Sequence, residues 1–77
     1  MAKKDAIRRL NSARWKLDQG LPDTIVTQAL IAAAWALPYS ANYGDAFEYI
    51  SSAIWTAASG DEHPTRMWIK DALSEIE

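Results

Sequence analysis

DAIRRLNSARW, residues 5–15, is followed 40 positions later by a related segment, DAFEYISSAIW, residues 45–55. Five of the eleven positions are identical, and a glycine stands five residues after each tryptophan, at Gly20 and Gly60. Each segment begins an amphipathic pattern, and each glycine is a natural end for a helix. Internal duplication and chance similarity between alanine-rich helices both explain the resemblance.

Apolar residues recur at helical spacing in four segments of the chain. This pattern predicts α-helices over residues 4–19, 22–36, 46–59 and 64–75. Asp45 and Glu48 have the spacing of a capping box at the start of the third helix. The predicted inner faces are Ala6, Leu10, Ala13 and Leu17; Ile25, Val26, Ala29, Leu30, Ala33, Ala36 and Leu37; Ala46, Phe47, Ile50, Ala53, Ile54 and Ala57; and Trp68, Ile69, Ala72, Leu73 and Ile76.

Short connections join the first helix to the second and the third helix to the fourth. Gly20 is followed by Pro22, and Gly60 is followed by Pro64, so each glycine ends a helix and each proline begins the returning one. We therefore expect an all-α fold, a small four-helix domain over residues 1–77 built as two tandem helical hairpins.

The composition and the N-terminal residues limit the classes of protein to which this chain can belong. The 77 residues include no cysteine, which excludes disulfides and thiolate chemistry. The segment MAKKDAIRRL is charged where a signal peptide needs an apolar core, and no apolar run is long enough to cross a bilayer. A cytoplasmic protein without membrane association is the expectation.

Positive charge is concentrated in the first predicted helix. This helix and the residue before it contain six of the eight Lys and Arg residues, although the net charge of the whole chain is −2. Such a helix can contact nucleic-acid phosphates, and the acidic remainder of the chain argues against that use. The alternative nucleic-acid-binding residues are Lys3, Lys4, Arg8, Arg9, Arg14 and Lys16.

Three of the four tryptophans lie away from the predicted inner faces. Trp15 has polar and cationic neighbours on the helical wheel, so we expect it to be exposed or stacked on Arg8. Trp55 occupies the corresponding place in the third helix, and its burial is left open. We expect Trp35, paired with Ile31 one turn earlier, to pack in the core as a second stripe.

Catalytic and metal-binding patterns are missing from the sequence. His63 stands in DEHPTR, where consecutive side chains point in different directions, and Asp71 and Glu75 are typical of a solvated helix face. There is no glycine-rich phosphate loop, zinc-protease motif or nucleophile elbow. We therefore expect no enzymatic activity, no cofactor and no metal.

These observations favour a protein-interaction module that binds, and inhibits or regulates, a larger protein partner. The analogy is with compact phage- and plasmid-encoded inhibitors. A homodimer or a tight complex is expected to use Trp15, Arg8 and the tyrosine-bearing loop, since complementary charges orient such contacts and indoles supply apolar area. The predicted partner-binding residues are Arg8, Trp15, Tyr39, Tyr43 and Trp55.

Overall fold

A computed structural model describes residues 2–77 and contains four α-helices. They are α1 (Ala2–Asp18), α2 (Asp23–Ala36), α3 (Gly44–Ala58) and α4 (Glu62–Ile76), with one 3-10 turn at Ala41–Tyr43. No strand occurs in this described part of the chain. Each helix end lies within two residues of its predicted position, and only Met1 of the predicted domain falls outside the description. The all-α prediction is confirmed.

The helices pair in the order expected for two hairpins. α1 packs most extensively against α2 and α3 against α4, while α2 against α3 and α4 against α1 complete a ring of four neighbours. The connections within each hairpin are short, so successive helices run antiparallel. The Cα trace measures 31 × 18 × 17 Å along its principal axes. The two tandem hairpins therefore form one four-helix bundle.

The repeated segment has a structural counterpart in the core. Ala6, Leu10 and Ala13 of α1 are completely buried. The residues 40 positions later in α3 are at most 1% exposed: Ala46, Ile50 and Ala53. The returning helices correspond with an offset of 39, because the buried residues Val26, Leu30 and Ala33 of α2 match Thr65, Ile69 and Ala72 of α4. The two halves of the chain thus bury equivalent positions.

Both first helices also end in the same way. Gly20 and Gly60 have φ angles of 72° and 77°, the left-handed region that favours glycine. The amide of Gly20 donates to the Leu17 carbonyl, and that of Gly60 donates to the Ala57 carbonyl, 3.0 Å in each case. The next amide reaches back to the carbonyl of residue 16 or residue 56, which completes a Schellman motif in each hairpin.

An ion pair holds together the end of the bundle that contains both hairpin connections. Arg66 near the start of α4 donates from Nε to Oδ1 of Asp18, the last residue of α1, at 3.1 Å. Its Nη2 also donates to Glu62 at 3.1 Å, and these two hydrogen bonds raise the pKa of Arg66 above its ordinary value. The two hairpin connections therefore lie side by side, and the α2–α3 connection lies at the opposite end.

Some details of the predicted inner faces and helix starts are wrong. Ile25 and Phe47 are exposed, because each lies at the edge of its helix face where neither neighbouring helix reaches. The capping box does not form: α3 begins at Gly44, so Asp45 lies inside the first turn and Tyr43 precedes the helix without a side-chain cap. Thr65, absent from the predicted face, is buried and hydrogen bonds to Thr56 at 2.7 Å.

Candidate protein-interaction surface

Exposed aromatic residues gather at the α2–α3 connection. Pro38 requires Leu37 to leave the helical conformation, and Leu37 has φ −65° and ψ 138°. The chain then passes through Tyr39, which is fully exposed, before α3 begins. Trp35, in the last turn of α2, is 85% exposed, and Phe47 in the first turn of α3 is 52% exposed.

These side chains line an open groove of about 840 Å³ at this end of the bundle. Leu37 and Tyr43 are half-buried and pack against the core, so the groove has a fixed apolar wall beside its exposed rings. Ser40 stabilises the turn by accepting a hydrogen bond from the Asn42 amide at 3.2 Å. The lining residues are Ala34, Trp35, Leu37, Pro38, Tyr39, Ser40, Ala41, Tyr43, Gly44 and Phe47.

The exposed apolar surface continues along both helices. Ile31 lies one turn before Trp35 on the same side of α2, and it is exposed. Trp55 lies two turns after Phe47 on α3 and is 76% exposed. Trp55 lies about 80° around α3 from Phe47, so it extends the exposed apolar surface along the outer side of α3 and does not line the groove. We call this surface the aromatic face: Ile31, Trp35, Tyr39, Phe47 and Trp55.

The far end of the α2–α3 boundary is more polar. A second groove of about 290 Å³ is lined there by Asp23, Thr24, Thr27, Gln28 and Ala58. The hydroxyl of Thr27 is buried, and within the described residues it has no hydrogen-bond partner.

The charge around the aromatic face has one sign. No Lys or Arg occurs between Lys16 and Arg66, a stretch that includes all of α2 and α3. The same stretch contains six carboxylates: Asp18, Asp23, Asp45, Glu48, Asp61 and Glu62. Glu48 is exposed and follows Phe47 directly. Asp18, Asp61 and Glu62 lie at the opposite end of the bundle, so the negative charge near the aromatic face comes from α2 and α3 themselves, with Glu48 beside Phe47.

Trp15 and Trp55 occupy corresponding positions in the two halves, and both point outward. Trp15 is 58% exposed. Arg8 donates a hydrogen bond from Nη2 to Oδ1 of Asp5 at 2.9 Å, so its guanidinium pairs with a carboxylate of its own helix.

The structure does not bring all of the predicted partner-binding residues together. Trp15 lies near the end of α1, beside the hairpin connections, whereas Tyr39 lies at the opposite end of the bundle. Tyr43 is half-buried against the core and lines the groove. Of the predicted set, Tyr39 and Tyr43 line the groove, Trp55 lies in the last turn of α3 toward the other end of the bundle, and Arg8 and Trp15 lie on α1.

The six cations of the alternative nucleic-acid site are spread around α1. Arg9 and Lys16 line a groove of about 250 Å³ between α1 and α2, together with Ser12, Ile25, Gln28, Ala29 and Ala32. Lys3, Lys4 and Arg8 are exposed elsewhere on the helix. Arg14 donates to Asn11 at 2.8 Å.

The prediction that Trp35 packs in the core is wrong, and sequence reasoning also missed Phe47 as a surface residue. In a ring of four helices, each helix has two neighbours, and both lie toward the core. Trp35 lies about 140° around α2 from Leu30, beyond the reach of either neighbour. The sequence predicts only four helices, so no further helix is available to cover a second apolar stripe. The number of predicted helices could therefore have indicated that Trp35 is exposed.

Trp68 and Tyr49 form the aromatic pair that joins α3 to α4. Their ring centroids are 5.8 Å apart and the planes are inclined by 23°, a stacked arrangement. Desolvation raises the pKa of the Tyr49 phenol above its ordinary value, and the negative charges of Glu75, Asp45, Asp71 and Glu48 raise it further. This pair stabilises the α3–α4 hairpin. Trp68 is therefore not part of the aromatic face.

His63 and Asp71 are exposed, and no cluster of three or more His, Asp or Glu residues in positions 2–77 is arranged to hold a metal ion. None of the helices described has both the length and the apolar character that crossing a membrane requires.

Comparisons with protein-family models, curated proteins and solved structures found no match to this chain.

Proposed function

We propose that this protein is a non-enzymatic protein-interaction module that binds a larger protein partner through the aromatic face. The observation behind this proposal is that Trp35, Tyr39 and Phe47 project from one groove while the core is filled by other residues. Large exposed apolar patches on small proteins are typical of interaction sites. Tryptophan and tyrosine are also the residues that most often dominate binding energy at interfaces.

The size of the aromatic face supports a specific interface. A large aromatic side chain can bury roughly 150–250 Å², so the face offers on the order of 700 Å², against about 800 Å² per partner in a standard interface. A chain of this size without catalytic groups acts by covering a surface of its partner. Inhibition or regulation of the partner is the corresponding biological role.

A photo-crosslinking residue tests this proposal directly. Substitution of Tyr39 by benzoylphenylalanine places the crosslinker at the centre of the aromatic face, and the same substitution of Lys70, exposed on α4, is the control. In cells that express the protein, we expect protease-sensitive adducts from position 39 and none of the same size from position 70. Equal adducts from both positions, or nuclease-sensitive adducts, would contradict the proposal.

Nucleic-acid binding through α1 is the second candidate function. It is supported by the groove that contains both Arg9 and Lys16. Phosphate contacts weaken steeply as salt concentration rises. A fluorescence anisotropy titration with single-stranded and double-stranded oligonucleotides should therefore show salt-dependent binding that Arg9→Glu removes. Absence of binding at low salt excludes this candidate.

A further inference from the structure

We propose that the occupant of the aromatic face is a basic amphipathic α-helix of the partner. This inference rests on the proposed function and identifies the chemistry that the partner must present. It is supported by the shape of the face, by its charge and by the nature of its side chains.

The shape of the face suits a helix lying lengthwise. Trp35 on α2 and Phe47 on α3 line one groove between antiparallel helices, and Ile31 and Trp55 extend the exposed apolar surface along the outer sides of these helices. The 14 residues of α2 extend about 21 Å, so an occupant of roughly the same length can contact the groove and Ile31. Amphipathic helices bind grooves of this kind through apolar residues spaced three and four apart.

The charge of the face selects a basic occupant. Helices α2 and α3 contain Asp23, Asp45 and Glu48 but no cation. Lys or Arg beside the apolar stripe of an incoming helix would therefore meet opposite charge on α2 and α3. The faces of exposed indole and phenyl rings also attract cations. An acidic helix with the same apolar stripe meets repulsion instead.

A second copy of this chain fits the face less well. Two aromatic faces brought together would juxtapose acidic helices without a single cation between them. The cations of α1 belong to a helix whose apolar residues Ala6, Leu10 and Ala13 are already buried in its own core. Only Trp15 remains on the outer side of α1 as a large apolar contact.

Two synthetic helical peptides provide the first measurement. Both have the same leucine stripe over roughly 14 residues, and one has Lys and the other Glu at the polar positions. Titrated into the full-length chain by calorimetry, the Lys peptide should bind at least about tenfold more tightly than the Glu peptide. Equal affinities of the two peptides would overturn the proposal.

Matched tryptophan variants locate the binding site. Trp35→Ala should weaken binding of the Lys peptide about tenfold, the effect expected of an interface anchor. Trp15→Ala removes an exposed indole from α1 and should leave the affinity unchanged. Helical circular dichroism confirms that both variants fold. A loss of affinity that is equal in the two variants would contradict the assignment to the aromatic face.

Matched charge variants separate local attraction from the net charge of −2. Glu48→Gln and Asp71→Asn each remove one exposed carboxylate, but only Glu48 adjoins the aromatic face. Glu48→Gln should weaken binding of the Lys peptide more than Asp71→Asn does. The same small effect from both variants would mean that the peptide responds to overall charge, and the proposed site would be rejected.

Sedimentation of the chain alone tests the alternative occupant, a second copy, and with it the homodimer that the sequence predicts. A basic helix as the occupant requires a monomer at micromolar concentration, and a dimer that Trp35→Ala dissociates would assign the face to self-association. If crosslinks from position 39 identify a protein partner but the Lys peptide does not bind, the basic-helix inference fails and the proposed function stands. If position 39 yields no specific adduct, the proposed function itself fails.

Discussion

The α2–α3 side and the α4–α1 side occupy corresponding places in the two halves of the chain, yet their surfaces differ. On α2, Ile31 and Trp35 correspond to Lys70 and Ser74 of α4 by the 39-residue offset of the buried positions. On α3, Phe47 corresponds to Ile7 of α1 by the 40-residue offset. One side is apolar and lacks cations, while the other has Arg66 paired with Asp18 and Glu62.

The difference shows which part of the repeated pattern is architectural. Buried positions and glycine ends agree between the halves because both hairpins must bury one helix face and reverse direction. Outward positions do not contribute to that requirement and differ between the halves. The tryptophan pair Trp15 and Trp55 is the exception, since both are exposed at corresponding places. Function is therefore to be sought among outward residues that differ between the halves.

The largest expected effects test the equivalence of the two cores. Leu10→Ala and Ile50→Ala should each lower the free energy of unfolding by about 2–5 kcal/mol, because both side chains are completely buried. Urea denaturation followed by circular dichroism measures both values. If one variant unfolds like the wild type, the halves are not equivalent in packing.

The glycine ends give the next largest effects. Gly20→Ala and Gly60→Ala should each cost roughly 1–2 kcal/mol, because an alanine must adopt the left-handed conformation. The added Cβ at residue 60 also meets Asp23 Oδ2 at 3.3 Å, whereas a Cβ at residue 20 meets open space. Gly60→Ala should therefore destabilise the fold at least as much as Gly20→Ala.

Gly44→Ala is a control that should change folding stability in the opposite direction. The φ of −60° at Gly44 is helical and an added Cβ meets nothing within 4 Å, so Gly44→Ala should stabilise the fold by about 0.5–1 kcal/mol. Thermal unfolding of the three alanine variants checks the order. A stabilised Gly20→Ala variant would show that α1 of the wild type does not end in the left-handed conformation.

The aromatic face should contribute little to stability. Trp35→Ala should change the free energy of unfolding by no more than about 0.5 kcal/mol, since the indole is 85% exposed. Trp68→Ala should cost at least about 1 kcal/mol, because Trp68 is half-buried and stacked on Tyr49. A comparable loss in both variants would mean that Trp35 supports the fold and not a partner.

The smallest effect is the ionisation of Tyr49 on the α3–α4 side. Its pKa is raised from 10.0, so the folded chain retains the phenol proton at a pH where the unfolded chain loses it. Any stability gained from this proton is present below the unfolded pKa and is lost as pH rises through the folded pKa. Phenolate absorbance should therefore show a component that titrates above the ordinary pKa of tyrosine, and Tyr49→Phe should remove that component. If the component persists in Tyr49→Phe, the assignment is contradicted.

Much of the fold follows from the sequence alone. Helical periodicity, the two glycines and the spacing of Leu10 and Ile50 were sufficient to predict four helices in two hairpins, because these signals act over a few residues. The same periodicity indicated that Trp15 and Trp55 lie off the inner faces. The burial predicted for Trp35 and Phe47 was wrong, because exposure depends on which neighbouring helix covers each position.

Only the tertiary structure decided how the candidate surface is assembled. Antiparallel packing of α2 against α3 brings Trp35 and Phe47 into one groove, although they lie on different helices, and the same packing sends Trp15 to the opposite end from Tyr39. Residue spacing determines which side chains share a helix face, since each helix has a fixed turn. It does not determine which faces meet, because that depends on the direction and order in which the helices pack.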